Sequence, residues 1–152
     1  RLMRRFATVE EIEAAVGEPL GTTDWVEIDQ ARVDAFADLT GDHQWIHVDA
    51  ERAAASPFGG TIVHGYLTQS MIPGFSTSLF AVEAGSARLN YGSEKVRFPS
   101  PLPTGSRIRA SAEFTDVTPG PAGTRVTTRW TVEREGGDKP VCVAEVVTLV
   151  LP

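Results

Sequence analysis

Along the first half of the chain apolar residues recur mainly at spacings of three and four, and beyond Ala87 they recur at every second position. The pattern predicts helices first and strands afterwards. Thr8-Val9-Glu10-Glu11 has the Thr-x-x-Glu form of a capping box. Ile12, Ala15 and Val16 follow as a short apolar face that Gly17 and Pro19 end. Thr22 to Ile28 alternates around Trp25, Val26 and Ile28 as a strand does. Asp29 then caps a helix carrying Val33, Phe36, Ala37 and Thr40, with Gly41 as its stop. Asp49 caps a short helix through Glu51 to Ala55, and Ser56-Pro57-Phe58-Gly59-Gly60 is a loop. From Ile62 the apolar residues Val63, Tyr66, Leu67, Met71, Ile72, Phe75, Leu79 and Phe80 predict a helix of roughly 30 Å. It is apolar on more than one side, and Pro73-Gly74 kinks it or ends its first part.

Four stretches rich in β-branched residues come next: Ala87 to Phe98, Arg107 to Val117, Gly123 to Glu135 and Pro140 to Leu151. Turn residues at Pro101 to Gly105, Pro119-Gly120-Pro121 and Glu135 to Asp138 separate them. In the third, Val126, Thr128, Trp130 and Val132 alternate with Thr127, Arg129, Thr131 and Glu133, the mark of a strand with one solvated face. With Thr22 to Ile28 as a fifth strand, the expected fold is α+β, one curved antiparallel sheet around a long central apolar helix. No internal repeat, coiled-coil heptad or low-complexity linker interrupts it.

At 152 residues and 41% hydrophobic content the chain supports one domain spanning residues 1–152. Arg1 and Leu2 precede Met3, which reads as a native start, so residues 1–7 are expected to be a flexible or appended N-terminal piece. A formal charge of −6 speaks against nonspecific nucleic-acid binding, which needs a basic face. Cys142 is the only cysteine, which rules out an intramolecular disulfide and any Cys-x-x-Cys site. No apolar run follows the basic start, and Ile62 to Val82 is too polar for a lipid-exposed span. The expectation is a cytoplasmic protein with no membrane insertion.

Candidate chemistry concentrates between Phe36 and Gly65, a stretch that holds all three histidines. Asp42 to His47 lie on an irregular segment just past a helix end, where an acid and an imidazole five positions apart can converge on one water molecule. Aspartate near pH ~3.9 and histidine near ~6.5, partly desolvated, can share a proton close to neutrality and act as acid and base in turn. His64-Gly65 opens the apolar helix, whose first-turn amides are free for an anion or a polarised carbonyl.

These residues resemble the MaoC-like hydratases and dehydratases. That family's pattern is an aromatic, a small residue, Gly-Asp-x-Asn-Pro-hydrophobic-His and a downstream His-Gly. Here it reads Phe36, Thr40, Gly41, Asp42, His43, Gln44, Trp45, Ile46, His47, then His64-Gly65, with Asn90-Tyr91-Gly92 and Lys95 to Pro99 later. Gln44 replaces the usual asparagine and keeps an amide; Trp45 replaces proline and loses its fixed φ. The resemblance implies a hot-dog fold and a homodimer formed by sheets joined edge to edge, with the ligand groove at or near the interface. It also implies reversible hydration of trans-2-enoyl thioesters to (R)-3-hydroxyacyl thioesters, carried on CoA or acyl-carrier protein and needing no cofactor. Asp42 and His47 would be catalytic. Gly65, Gln44 and His64 would polarise or orient, and Tyr66 and Arg97 would bind substrate.

Blander readings stand beside these. Asp42 also suits a turn, His47 a satisfied half-buried imidazole, His64 a packed helix start, and Gly65 a close helix contact. Lys95, Arg97, Arg107 and Arg109 also suit a solvated strand face. A metal on His43, His47 and Asp42 is disfavoured: the glutamate of His-Glu-x-x-His is missing and Gly41 opposes a regular helix. A hot-dog thioesterase and a non-catalytic acyl-thioester binder remain as rivals.

Overall fold

The computed structural model describes residues 3–152. Helices occupy most of the first half: α1 (Val9–Ala14), α2 (Gln30–Thr40), α3 (Trp45–Val48), α4 (Ala50–Ala54), α5 (Gly65–Ser70) and α6 (Ile72–Ser76). Strands β1 (Arg4–Phe6), β2 (Pro19–Thr22), β3 (Val26–Glu27) and β4 (Phe80–Val82) are interleaved with them. β5 (Arg88–Arg97), β6 (Arg107–Gly120), β7 (Gly123–Arg134) and β8 (Cys142–Val150) make up the rest. The main sheet is antiparallel in the order β2-β6-β7-β8-β5, with β3 also on β6. This sheet around α5 and α6 is the hot-dog arrangement expected.

Local capping behaves as the sequence predicts. The Thr8 hydroxyl accepts from the Glu11 N–H, and the Glu11 carboxylate closes the box at the Ala7 N–H. Asp29 and Asp49 accept from the Arg32 and Arg52 N–H groups at the starts of α2 and α4. Gly41 ends α2 at φ 82°, a left-handed cap that a side chain would strain. Along β7 the alternation is as read: Val126, Thr128, Trp130 and Val132 are buried. The core joins this face to the helices through Phe6, Phe80, Phe114 and Trp130. Phe114 lies 5.2 Å from Phe6 and 5.3 Å from Phe80 between ring centroids.

Several expectations need correction. The central helix is not long: it is split into α5 and α6 at Met71, because Pro73 has no N–H to continue the ladder and sits instead in the first turn of α6. Nor is it wrapped all round, since Tyr66 is 72% exposed. The single strand Thr22 to Ile28 is two short ones, and Thr23 breaks them by bonding to Ala110 through both its N–H and its hydroxyl. The N-terminal piece is tied down: β1 pairs in parallel with β4, and Arg5 forms an ion pair with Glu83. Residues 1 and 2 lie outside the described residues. Pro119 and Gly120 are not turn residues, because β6 runs through them to a Gly120–Gly123 pair. The turn itself is Pro121-Ala122. No helix among the described residues is long and apolar enough to cross a membrane.

Candidate active site

Asp42 follows the αL cap of α2, and its Oδ1 accepts the Gln44 main-chain N–H at 3.3 Å, which folds the loop back on itself. The chain then enters α3. This one-turn helix corrects the reading of His47 as part of an irregular segment. His47 is buried and its Nδ1 lies 2.7 Å from the Ile62 carbonyl oxygen. A carbonyl only accepts, so Nδ1 carries the proton and Nε2 keeps a free lone pair. Burial lowers the His47 pKa below the ordinary histidine value, and the nearby His64 adds to this. The Ile62 bond and Asp42 oppose it.

His64 is 2% exposed and its Nε2 lies 3.1 Å from the Asp42 main-chain oxygen, to which it donates. Its ring stacks on His47 with centroids 3.8 Å apart and 22° between planes, and the Phe36 ring lies 4.9 Å from it at a 59° tilt. The Asp42 carboxylate and the two imidazoles offer ligand atoms all within 4.8 Å of one another. A water hydrogen-bonded to both Asp42 and His47 spans such a gap. The two stacked rings lie in near-parallel planes, so their in-plane lone pairs do not meet on one ion at about 2.0–2.1 Å. His43 stands apart, exposed and paired with Asp38 at 2.9 Å, which raises its pKa.

Gly65 begins α5 and is half-buried, and its N–H has no partner among the described residues. A Cβ built there would stand 3.1 Å from the Phe98 ring. Gly65 therefore both presents a free amide and admits a close contact. The remaining expected residues disperse. The Gln44 side chain is exposed and makes no capping bond, so its contribution to Asp42 is its backbone N–H. Tyr66 lines a cavity of about 650 Å³ beneath α5 and α6, whereas Leu67 and Met71 pack against the core. Arg97 is exposed, donates to the Val96 carbonyl at 2.9 Å and lies outside that cavity.

Sequence reasoning missed two residues here. Gln30, on the first turn of α2, donates to the His47 carbonyl at 2.8 Å and accepts the Thr61 hydroxyl at 2.6 Å. It thereby ties α3 to the strip that carries Ile62 and His64. The Ile62 N–H bonds to the Ile46 oxygen, the Val63 N–H to the Leu102 oxygen, and the Thr104 N–H to the Thr61 oxygen, which pins the same strip. Phe98 is the other. Both act through contacts distant in sequence, and the one local signal was an amide side chain at a helix start.

The profile of the MaoC like domain family matches residues 11–136. The chain belongs to the MaoC-like family. It is 51% identical over 144 residues to 3-hydroxyacyl-thioester dehydratase Z of Mycobacterium tuberculosis, covering 94% of this chain and 95% of that one. Nodulation protein N of Rhizobium leguminosarum bv. viciae is 40% identical over 146 residues, covering 94% and 91%. The solved (R)-hydratase from A. caviae superposes with a TM-score of 0.71 at 26% identity, covering 90% of this chain and 96% of that one. The MaoC-like loop tolerates its two departures for a structural reason. Gln44 at ψ 139° is extended, as a residue before proline would be, and Trp45 stands at the first position of α3, where proline's φ is the helical one. Trp45 also stacks under the Arg52 guanidinium at 4.3 Å.

Proposed function

We propose that this MaoC-like protein is a hydro-lyase that interconverts trans-2-enoyl thioesters and (R)-3-hydroxyacyl thioesters. The observation that carries the reading is the Asp42 carboxylate within 4.8 Å of His47 nitrogen, with Nε2 left free by the Nδ1 bond to Ile62. In hydration the two groups act as one proton-transfer unit. Neutral His47 takes a proton from the bridging water at Nε2 and the water oxygen bonds to C3. That proton crosses the pair to Asp42, which delivers it to C2, so the pair ends as it began and the water has supplied both the hydroxyl and the hydrogen. Dehydration is the reverse.

The Gly65 N–H is the donor for the thioester oxygen, where negative charge grows as C3 is attacked. This chemistry uses no metal and no organic cofactor. His64 orients Asp42 through its main-chain oxygen. The names of the dehydratase and of the (R)-hydratase among the relatives support the reaction and its hand. The carrier is CoA or acyl-carrier protein. Among the described residues β5 pairs only with β8, and Leu89, Tyr91 and Phe98 are exposed on or just beyond it, which suits a homodimer joined along that edge. A reducing cytoplasm suits the single buried thiol, Cys142.

The test is the loss of enone absorbance when purified protein meets crotonyl-CoA, with chiral analysis of the product. (R)-3-hydroxybutyryl-CoA is expected. Release of free CoA thiol without hydration would replace the reading with a thioesterase.

A further inference from the structure

The inner face of the sheet carries polar side chains where its alternation calls for apolar ones. Directly opposed residues of an antiparallel pair share a face. Buried Val150 opposes Arg88; Thr148 lies between Val126 and Asn90; Val146 lies between Thr128 and Ser93. Arg88, Asn90, Ser93, Thr128 and Thr148 therefore share one face and line the cavity of about 650 Å³, with Thr128 buried, Thr148 half-buried and the three β5 residues exposed. The rest of its sheet lining is apolar, with Phe114 and Trp130 among its residues, while Gln69, Ser70 and Ser76 add polar groups from α5 and α6.

Thr128 is the telling member. It is 5% exposed, borders the cavity, and its hydroxyl bonds to no other described residue, so it opens onto the cavity rather than being sealed in the core. Valine has the same shape and would leave no polar atom unpaired there. Half-buried Thr148 also bonds to no other described side chain, and Asn90 and Ser93, both exposed, are free to meet a ligand or water. Among the described residues Arg88 meets no carboxylate, only the Ala84 carbonyl at 3.5 Å. A cavity meant for a plain alkyl chain gains nothing from these groups.

The row also has a direction. Phe98, just past the end of β5, packs on Gly65, while Arg88 begins β5. Ten residues of strand span about 30 Å, so Ser93, Asn90 and Arg88 lie successively farther from the Gly65 amide. Tyr66, next to Gly65, borders the near end. A chain held by its thioester oxygen at Gly65 would pass Tyr66 and lay its distal carbons along this row.

We propose that the cavity selects acyl chains bearing a hydrogen-bonding oxygen, as a hydroxyl or carbonyl, well beyond the reacting carbons. Thr128, Thr148, Asn90, Ser93 and Arg88 are the groups that meet it. This inference rests on the hydratase reading for the orientation of the chain, and its test is a binding measurement that needs no turnover.

The affinities of dodecanoyl-CoA and 12-hydroxydodecanoyl-CoA, both saturated, are compared on the full chain. The carrier portion is common to the two, so their ratio reports only on the acyl tail. The hydroxylated ligand is expected to bind roughly 3- to 10-fold tighter, the value of a hydrogen bond to an uncharged partner. In Thr128→Val and Thr148→Val that preference should fall to parity or reverse. Should either core variant fail to fold, Asn90→Ala and Ser93→Ala on the exposed edge strand serve the same comparison. Tighter binding of the plain chain by the wild type, or a ratio unmoved by every variant, overturns the inference. Absence of crotonyl-CoA hydration would instead strike the parent reading.

Discussion

His64 holds Asp42 by its backbone rather than by its carboxylate: its Nε2 donates to the Asp42 carbonyl at 3.1 Å while its ring lies against His47. One buried side chain thus fixes both members of the pair without spending the acid group on itself. His64→Ala should lower kcat by about 10²-fold, the order expected for a misplacement near 1 Å. It should also cost about 1–3 kcal/mol of stability through the lost bond. His64→Gln, whose amide can still donate, should recover part of kcat. Steady-state kinetics beside thermal melts separate the two effects, and equal losses in the two variants would reduce His64 to a packing residue.

Gln30 is predicted to matter although it lies far from Asp42 in sequence. Replacing it with methionine removes the bonds to the His47 carbonyl and the Thr61 hydroxyl. The expected result is about 1–3 kcal/mol of destabilisation and a fall in kcat with little change in KM. Denaturant unfolding and initial rates on one preparation check both. An unchanged kcat would show that the clamp serves stability alone.

Gly65 and Phe98 should behave as a coupled pair. A methyl at residue 65 meets the Phe98 ring at 3.1 Å, and that ring is half-exposed and free to give way. Gly65→Ala is therefore expected to cost only about 1 kcal/mol, the low end for overpacking. It should still reduce kcat/KM, because the amide that meets the thioester oxygen shifts with the ring. Phe98→Leu in the same chain should restore part of the loss. A double-mutant cycle measures the coupling, and strictly additive effects would deny it.

The acid limb of the pH profile follows from His47. Its pKa is depressed by burial, so the unfolded chain, with histidine near ~6.5, binds this proton more readily than the folded one. The contribution of neutral His47 to stability is full above the unfolded value and is lost as pH falls through the lowered folded value. kcat/KM should likewise fall on a limb centred below pH ~6.5, and His47→Gln should flatten the matching loss of stability. An acid limb at or above the ordinary histidine value would contradict the burial effect.

What could be read from the sequence was what local chemistry determines. Thr8, Asp29 and Asp49 cap because short polar side chains reach the amides two or three residues on, and Gly41 stops α2 because it alone takes φ 82° without strain. The alternation along β7 was equally plain. Asp42, His47 and His64 were found because they crowd one stretch of chain. What stayed hidden depends on distant partners. β1 is three residues long and exists only against β4. Phe98 comes to Gly65 from the end of β5. The polar row on the inner face becomes visible only when the register sets Asn90 against Thr148 and Ser93 against Val146. The length of the central helix was overread because apolar spacing continues past Pro73, where the hydrogen-bond ladder does not.

The most direct test of the account is the rate of crotonyl-CoA hydration by Asp42→Asn and by His47→Gln, each confirmed as folded, against the wild type. Both variants should lose at least 10²-fold in kcat, the low end for a positioned acid or base, and joining them should cost far less than the product of the two losses, because the pair moves one proton as a unit. Wild-type rates in either single variant would contradict the assignment of the chemistry to Asp42 and His47.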